Sequence, residues 1–158
     1  MKGISNIVSV SLITGFIILA VAMTLIWAMP ILDKSQKIAE LERTKASMST
    51  IDDYIRIVSH SGNSTTRTIF ISIDKGKMTM TNSSITYDID VGEDLIKSGV
   101  TIQEKNVWIT GTGSSVQLKL NYSSIELSAN DVVIGTKQIQ IRKIGDKNNK
   151  PLVEVKAV

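Results

Sequence analysis

The stretch that decides the fold is Gly3–Leu32, GISNIVSVSLITGFIILAVAMTLIWAMPIL. It contains no charged side chain. Lys2 precedes it, and Asp33-Lys34 follow it. A helix that crosses a bilayer needs about 20 mostly apolar residues, so this run is long enough to span. The window Val10–Ala28 holds ten Val, Leu, Ile or Phe residues. At roughly −0.3 to −0.6 kcal/mol each, they favour insertion by about 3 to 6 kcal/mol. Ser11, Thr14, Gly15 and Thr24 oppose it weakly, because hydroxyls can bond back to helix carbonyls.

A secretory signal has an apolar core of about 7–15 residues with its cleavage site behind the core. Here the core is longer, and the one processing-like feature, Met1-Lys2-Gly3, stands in front of it. Lys2-Gly3 followed by Ile4-Ser5-Asn6-Ile7-Val8 resembles the class III signal peptide of the type IV pilin family, in particular its archaeal pilin and archaellin members. The resemblance covers residues 1–32. It implies a leader, residues 1–3, cut between Gly3 and Ile4 by a prepilin peptidase, with the apolar helix kept on the mature chain. Bacterial pilins carry Glu at the fifth mature position. That position here is Val8, which matches the archaeal pattern.

Beyond the span, Ser35–Ser59 reads as a helix. Leu41, Thr44, Met48, Ile51, Ile55 and Val58 recur at three-then-four spacing and form one apolar stripe. Glu40, Glu42, Arg43, Lys45, Asp52 and Arg56 fall on other faces. Pro30 is expected to kink the helix near the membrane exit. The chain thus divides into leader 1–3, helix 4–60 (apolar over 4–32, amphipathic over 33–60) and a β-rich domain 61–158. His60-Ser61-Gly62-Asn63-Ser64 supplies the helix stop.

The remainder reads as short strands parted by Gly, Asn, Ser and Asp. Arg67–Ile73 alternates, Asp74-Lys75-Gly76 signals a hairpin turn, and Lys77–Thr81 returns. Further strands are expected at 85–91, 100–103, 107–110, 115–122, 125–127 and 131–135. A last hairpin joins 138–144 to 152–158 across Gly145–Pro151. The fold class is α+β: a long N-terminal apolar helix, then an antiparallel β-sandwich-like domain or a strongly bent sheet. The amphipathic helix half covers one apolar face.

Composition narrows the chemistry. The 158 residues include no Cys and one His, which excludes disulfides, thiol catalysis and Cys-based metal sites. After residue 32 there are 17 basic and 15 acidic side chains, too mild a balance to signal nucleic acid. His60, the only histidine, stands at a helix end, where a solvated His near the negative pole of the dipole is the plain reading. Asp52-Asp53 are adjacent on a helix and point about 100° apart, which argues against shared acid–base work. Asp88, Asp90, Glu93 and Asp94 form the densest acidic cluster, a weak Ca²⁺ candidate whose spacing fits no EF-hand loop. Arg142, Lys143, Lys147 and Lys150 crowd the last hairpin without aromatic partners, and read as a solubilising edge. Asn63, Asn82 and Asn121 each begin an Asn-x-Ser/Thr sequon, the acceptor pattern for glycans on exported domains. No cofactor and no catalytic residue is expected.

Orientation is contested within the sequence. Lys34, Lys37, Arg43 and Lys45 follow the span closely, and such residues prefer the cytoplasm. The resemblance places the β-domain outside, and that placement is adopted. It implies a structural subunit of an extracellular adhesive filament. Ile7, Val10, Leu12, Phe16, Leu19 and Leu25 would lie in the bundled helical core, and Ser5, Ser9, Gly15, Ala20 and Ala22 would let helices approach. The implied partners are further copies of the chain, the membrane before assembly, the prepilin peptidase, an assembly ATPase and its platform protein. The alternative is a single-pass anchor whose β-domain binds or senses without polymerising.

Overall fold

The structure, a computed structural model, describes the backbone of residues 2–91 and 95–158, with side chains at 8–73, 75–91 and 95–158. The described residues form one helix and eight strands. It divides into two compact units, Met1–Ala39 and Glu40–Val158. The division falls inside the helix, not at its end, because the helix changes character there: the stripe that begins at Leu41 belongs to the β-domain's core.

The helix, α1, runs from Lys2 to Ser59 and includes Pro30. In the first unit every described side chain from Val8 to Gln36 is exposed. The hydroxyl of Thr24 is satisfied within the helix, donating to the Ala20 carbonyl at 2.8 Å. Lys37 and Asp33 form an i,i+4 ion pair at 2.9 Å.

In the second unit, Met48, Ile51, Ile55 and Val58 are fully buried, as the three-then-four spacing requires. Burying side chains of this size contributes about 1.5–3 kcal/mol each, which docks this part of the helix on the sheet. Its C-terminal end is closed from a distance. Lys143 donates from Nζ to the Ser59 carbonyl at 3.1 Å, placing a cation at the negative pole of the helix.

The strands are β1 (Thr66–Met80), β2 (Ser84–Asp90), β3 (Thr101–Glu104), β4 (Val107–Gly111), β5 (Ser115–Asn121), β6 (Glu126–Ser128), β7 (Asp131–Lys147) and β8 (Lys150–Ala157). They form one ladder in the order β3-β4-β5-β2-β1-β7-β8-β6. Every pair is antiparallel except β6 with β8. The α+β class and the mostly antiparallel sheet agree with the sequence reading.

Two expected turns are built differently. Asp74-Lys75-Gly76 does not close a hairpin, since the residues on either side of it pair with β7 rather than with each other. Ile73 pairs with Gly135 and Met78 with Val133, so four residues of β1 face Ile134 alone. This irregularity bends the sheet. The first half of β1 runs toward Lys75, which pairs with Glu40 of α1 at 2.8 Å. The second half returns beside β2, whose first residue Ser84 pairs with Asn121, one residue before Tyr122 in the neighbourhood of Asp52. Gly76 (φ +90°) and Gly135 (φ +74°) supply backbone that other residues adopt at a cost. The turn residues therefore marked a change of direction correctly, and the bend carries it inside a strand. The last hairpin is also tighter than expected. Lys147 pairs with Lys150 across Asn148 and Asn149, both at positive φ, in the manner of a two-residue turn.

Candidate functional site

Of the residues proposed for the filament core, Val10, Leu12, Phe16, Leu19 and Leu25 are all more than half exposed. Ile7 and the cleavage pair Gly3 and Ile4 lie outside the residues whose side chains are described, although the helical backbone includes them. No residue of the most apolar 18-residue window of the helix is buried within the chain. A helix apolar on all sides cannot stay in water and needs lipid or other helices around it. Among the described residues this leaves a continuous exposed apolar surface from Val8 to Leu32.

The β-domain adds a polar cluster that the sequence did not announce. Asp52 is buried, and each of its oxygens is engaged. Arg56 Nε donates to Oδ2 at 2.9 Å, and Asn106 Nδ2 donates to Oδ1 at 2.9 Å. Asn106 belongs to the turn between β3 and β4, so this bond ties that hairpin to the helix. A second tether lies nearer Glu40: Lys45 Nζ meets Glu104 Oε2 at 2.7 Å and Glu42 Oε1 at 3.0 Å. Glu104, and after it Glu42, hold the Lys45 ammonium above its usual range against partial burial. Asp52 likewise raises Arg56. Asp53 is exposed, so the Asp52-Asp53 pair does separate as the helical geometry requires.

Tyr122 stands beside this cluster with its hydroxyl buried and turned toward Asp52, but without a hydrogen bond of good geometry among the described residues. Burial first, and the Asp52 charge second, push its ionisation far above the ordinary tyrosine range. Two outcomes follow for Tyr122→Phe. At neutral pH it should be neutral or stabilise by up to about 1 kcal/mol, since a buried hydroxyl without a partner only costs desolvation. At alkaline pH the sign is worked from linkage. The folded state keeps the phenol proton, and the unfolded state loses it above about pH 10. Stability is therefore complete below pH 10 and falls as pH rises beyond it. Urea unfolding of the two proteins at pH 7 and pH 11 checks both, with a shallower alkaline loss expected for Tyr122→Phe.

The remaining candidates are spread out. Asp88 accepts from Gln117 Nε2 at 2.8 Å, and Asp90 is exposed on the same face of β2. Glu93 and Asp94 lie outside the described residues. No group of three metal-ligating side chains occurs among the described residues. His60 is exposed. Lys143 caps the helix, and Lys147 lies 3.9 Å from Glu126, so two of the four basic hairpin residues are engaged in the fold. The cavity between Glu40, Thr44, Ser72 and Tyr87 has about 30 Å³ for water-sized groups, which holds a water and no organic ligand.

Asn63, Asn82 and Asn121 are all exposed in turns or at a strand end. Asn82 accepts from the Ala129 amide through Oδ1 at 3.2 Å, a contact that leaves its Nδ2 to react.

No protein-family model, curated protein or solved structure matches this chain. The functional reading therefore rests on the surface of the helix and on the leader sequence.

Proposed function

We propose that the chain is a structural subunit of an archaeal type IV pilus-like surface filament. It would be held in the membrane by its helix before assembly, and by bundling with other copies afterwards. The observation that carries this is the bare helical surface from Val8 to Leu32, exposed on every side in a chain whose second unit has its own core. Lipid tails are as apolar as Leu, so transfer of such a helix from bilayer to bundle requires only close packing. The hydroxyl of Thr24, already bonded inside the helix, does not oppose the transfer. The β-domain contributes an outward surface, and the role is architectural and adhesive rather than enzymatic.

Filaments sheared from native cells and analysed by mass spectrometry test the proposal. The chain is expected as a component, beginning at Ile4. Its recovery only from the membrane fraction, in cells that shed filaments, would replace the filament with the single-pass anchor. The same material tests export of the β-domain. A glycan on at least one of Asn63, Asn82 and Asn121 is expected as added intact mass, and a mass equal to the bare polypeptide would withdraw the sequons from the argument.

A further inference from the structure

The sequons at Asn63, Asn82 and Asn121 are alike in sequence, and the fold separates them. A transferase that attaches a glycan must reach the Asn amide and the hydroxyl two residues later. In the finished domain two of the three sequons have those groups, or the residue between them, committed to other work.

Asn82-Ser83-Ser84 is closed at its hydroxyl. Ser84 is buried at the start of β2, and its Oγ lies 3.2 Å from Thr81 Oγ1. The Ser84 amide donates to the same Thr81 oxygen at 3.2 Å. Asn82 Nδ2 is open, but its Oδ1 accepts from the Ala129 amide, which fixes the plane of the side chain. Asn121-Tyr122-Ser123 is closed at its middle. The Tyr122 ring packs against the core, and its hydroxyl is buried. Tyr122 N donates to the Ser83 carbonyl at 3.3 Å, and Ser84 pairs with Asn121 in the ladder. The two sequons thus hold each other. Presenting either to an enzyme requires the ends of β2 and β5 to part, and for Asn121 a packed ring must also come out.

Asn63-Ser64-Thr65 has neither lock. It lies between α1 and β1. Thr65 N donates to the Gly62 carbonyl at 3.2 Å, so Asn63 and Ser64 are the central residues of a four-residue turn. Both are exposed. The bonds to β7 run from Ser64 N and the Thr65 carbonyl to Lys143, through backbone alone. Among the described residues neither the Asn63 amide nor the Thr65 hydroxyl has a hydrogen-bond partner to give up.

We propose that Asn63 is the glycan acceptor of the folded domain, and that Asn82 and Asn121 stay bare. The co-substrate is an oligosaccharide carried on a membrane lipid phosphate. Asn63 Nδ2 gives one proton to a base of the transferase and bonds to the anomeric carbon of the sugar. The bond from that carbon to the phosphate oxygen breaks, and the lipid phosphate leaves with the electron pair. The proposal rests on the exported β-domain of the pilus reading, and not on polymerisation.

Peptide mass spectrometry of the full chain from native cells reads each site. Added mass is expected on the peptide carrying Asn63 and on neither of the others. Asn63→Gln should remove the whole added mass of the intact chain, while Asn82→Gln and Asn121→Gln leave it unchanged. Thr65→Ala, which keeps Asn63 but deletes the sequon hydroxyl, should also remove it, and Thr65→Ser should retain it. A glycan on Asn82 or Asn121, a bare Asn63, or a glycan on Asn63 that survives Thr65→Ala would overturn the assignment. The outcome separates from that of the pilus reading. A bare Asn63 on a chain that begins at Ile4 in sheared filaments ends this proposal alone, and a modified Asn63 on a chain confined to the membrane ends the filament alone.

Discussion

Gly3→Val is expected to leave the chain uncut, confined to the membrane and absent from filaments. A membrane peptidase at the cytoplasmic face needs its scissile bond just outside the bilayer, and Gly3 is the last residue before the apolar run. Glycine lets backbone approach a catalytic centre closely, and a β-branched side chain blocks that approach. The bond also lies within the first turn of α1. Cleavage requires that turn to open. The opening is cheap because the first amides of a helix have no intrahelical acceptors. Valine stiffens the turn at the point where it must extend. On the proposed reading Lys2 would hold the leader at an anionic inner surface, and its removal would take away the only charged side chain at that end of the helix. N-terminal sequencing of the wild type and of Gly3→Val reads the outcome. A wild-type chain still beginning with Met1, in cells that contain a prepilin peptidase, would end the pilin reading. Normal cutting of Gly3→Val would remove glycine from the recognition.

The second large effect belongs to the β-domain. Gly76→Ala should destabilise the fold by about 3 kcal/mol or more, combining backbone strain with a collision. Gly76 holds φ at +90°, and a Cβ there would run into the carbonyl oxygen of Asp88 on β2. That oxygen is backbone, so no side chain can move aside. Gly113 provides the contrast. It has nearly the same φ, +92°, and nothing within 4 Å of an added Cβ. Gly113→Ala should therefore cost only the conformational part, about 1 kcal/mol. Thermal unfolding of the two variants separates the terms. Equal losses would mean that the β2 backbone at Asp88 yields to the bend of β1 without resistance.

The readable and unreadable parts of this chain divide by the range of the interactions involved. The helix was legible because its signals are local: an uncharged apolar run, then a stripe from Leu41 to Val58 at helical spacing. The alternation in 67–73 and 85–91 gave the strands for the same reason. The bend at Asp74–Lys77 was half legible. Turn residues report that a chain changes direction, but they do not report which strand lies beside it, and here β7 accompanies β1 around the corner. The Asp52 cluster was not legible. Asp52 looked like one of several charges on a helix, and its partner Asn106 lies 54 positions away in a two-residue turn. Tyr122 ends the expected strand over 115–122 and follows Asn121 in its sequon, and nothing nearby in sequence says that its hydroxyl is buried.

The arrangement of β1 against β7 also governs the order in which the molecule can be made. Thr66 pairs with Arg142, and Ser59 is capped by Lys143. At synthesis rates of about 5–20 residues per second, roughly 4 to 15 s separate the emergence of these partners. Through that interval TRTIFISI lacks β7, and the Ser59 carbonyl lacks the Lys143 ammonium. Sheets closed by such distant pairings gain little until the last strands arrive, which makes their folding slow. A nascent chain of this design is vulnerable to association with other unfinished copies at that segment. Cells that make it in quantity therefore have reason to keep neighbouring chains apart until β7 has emerged.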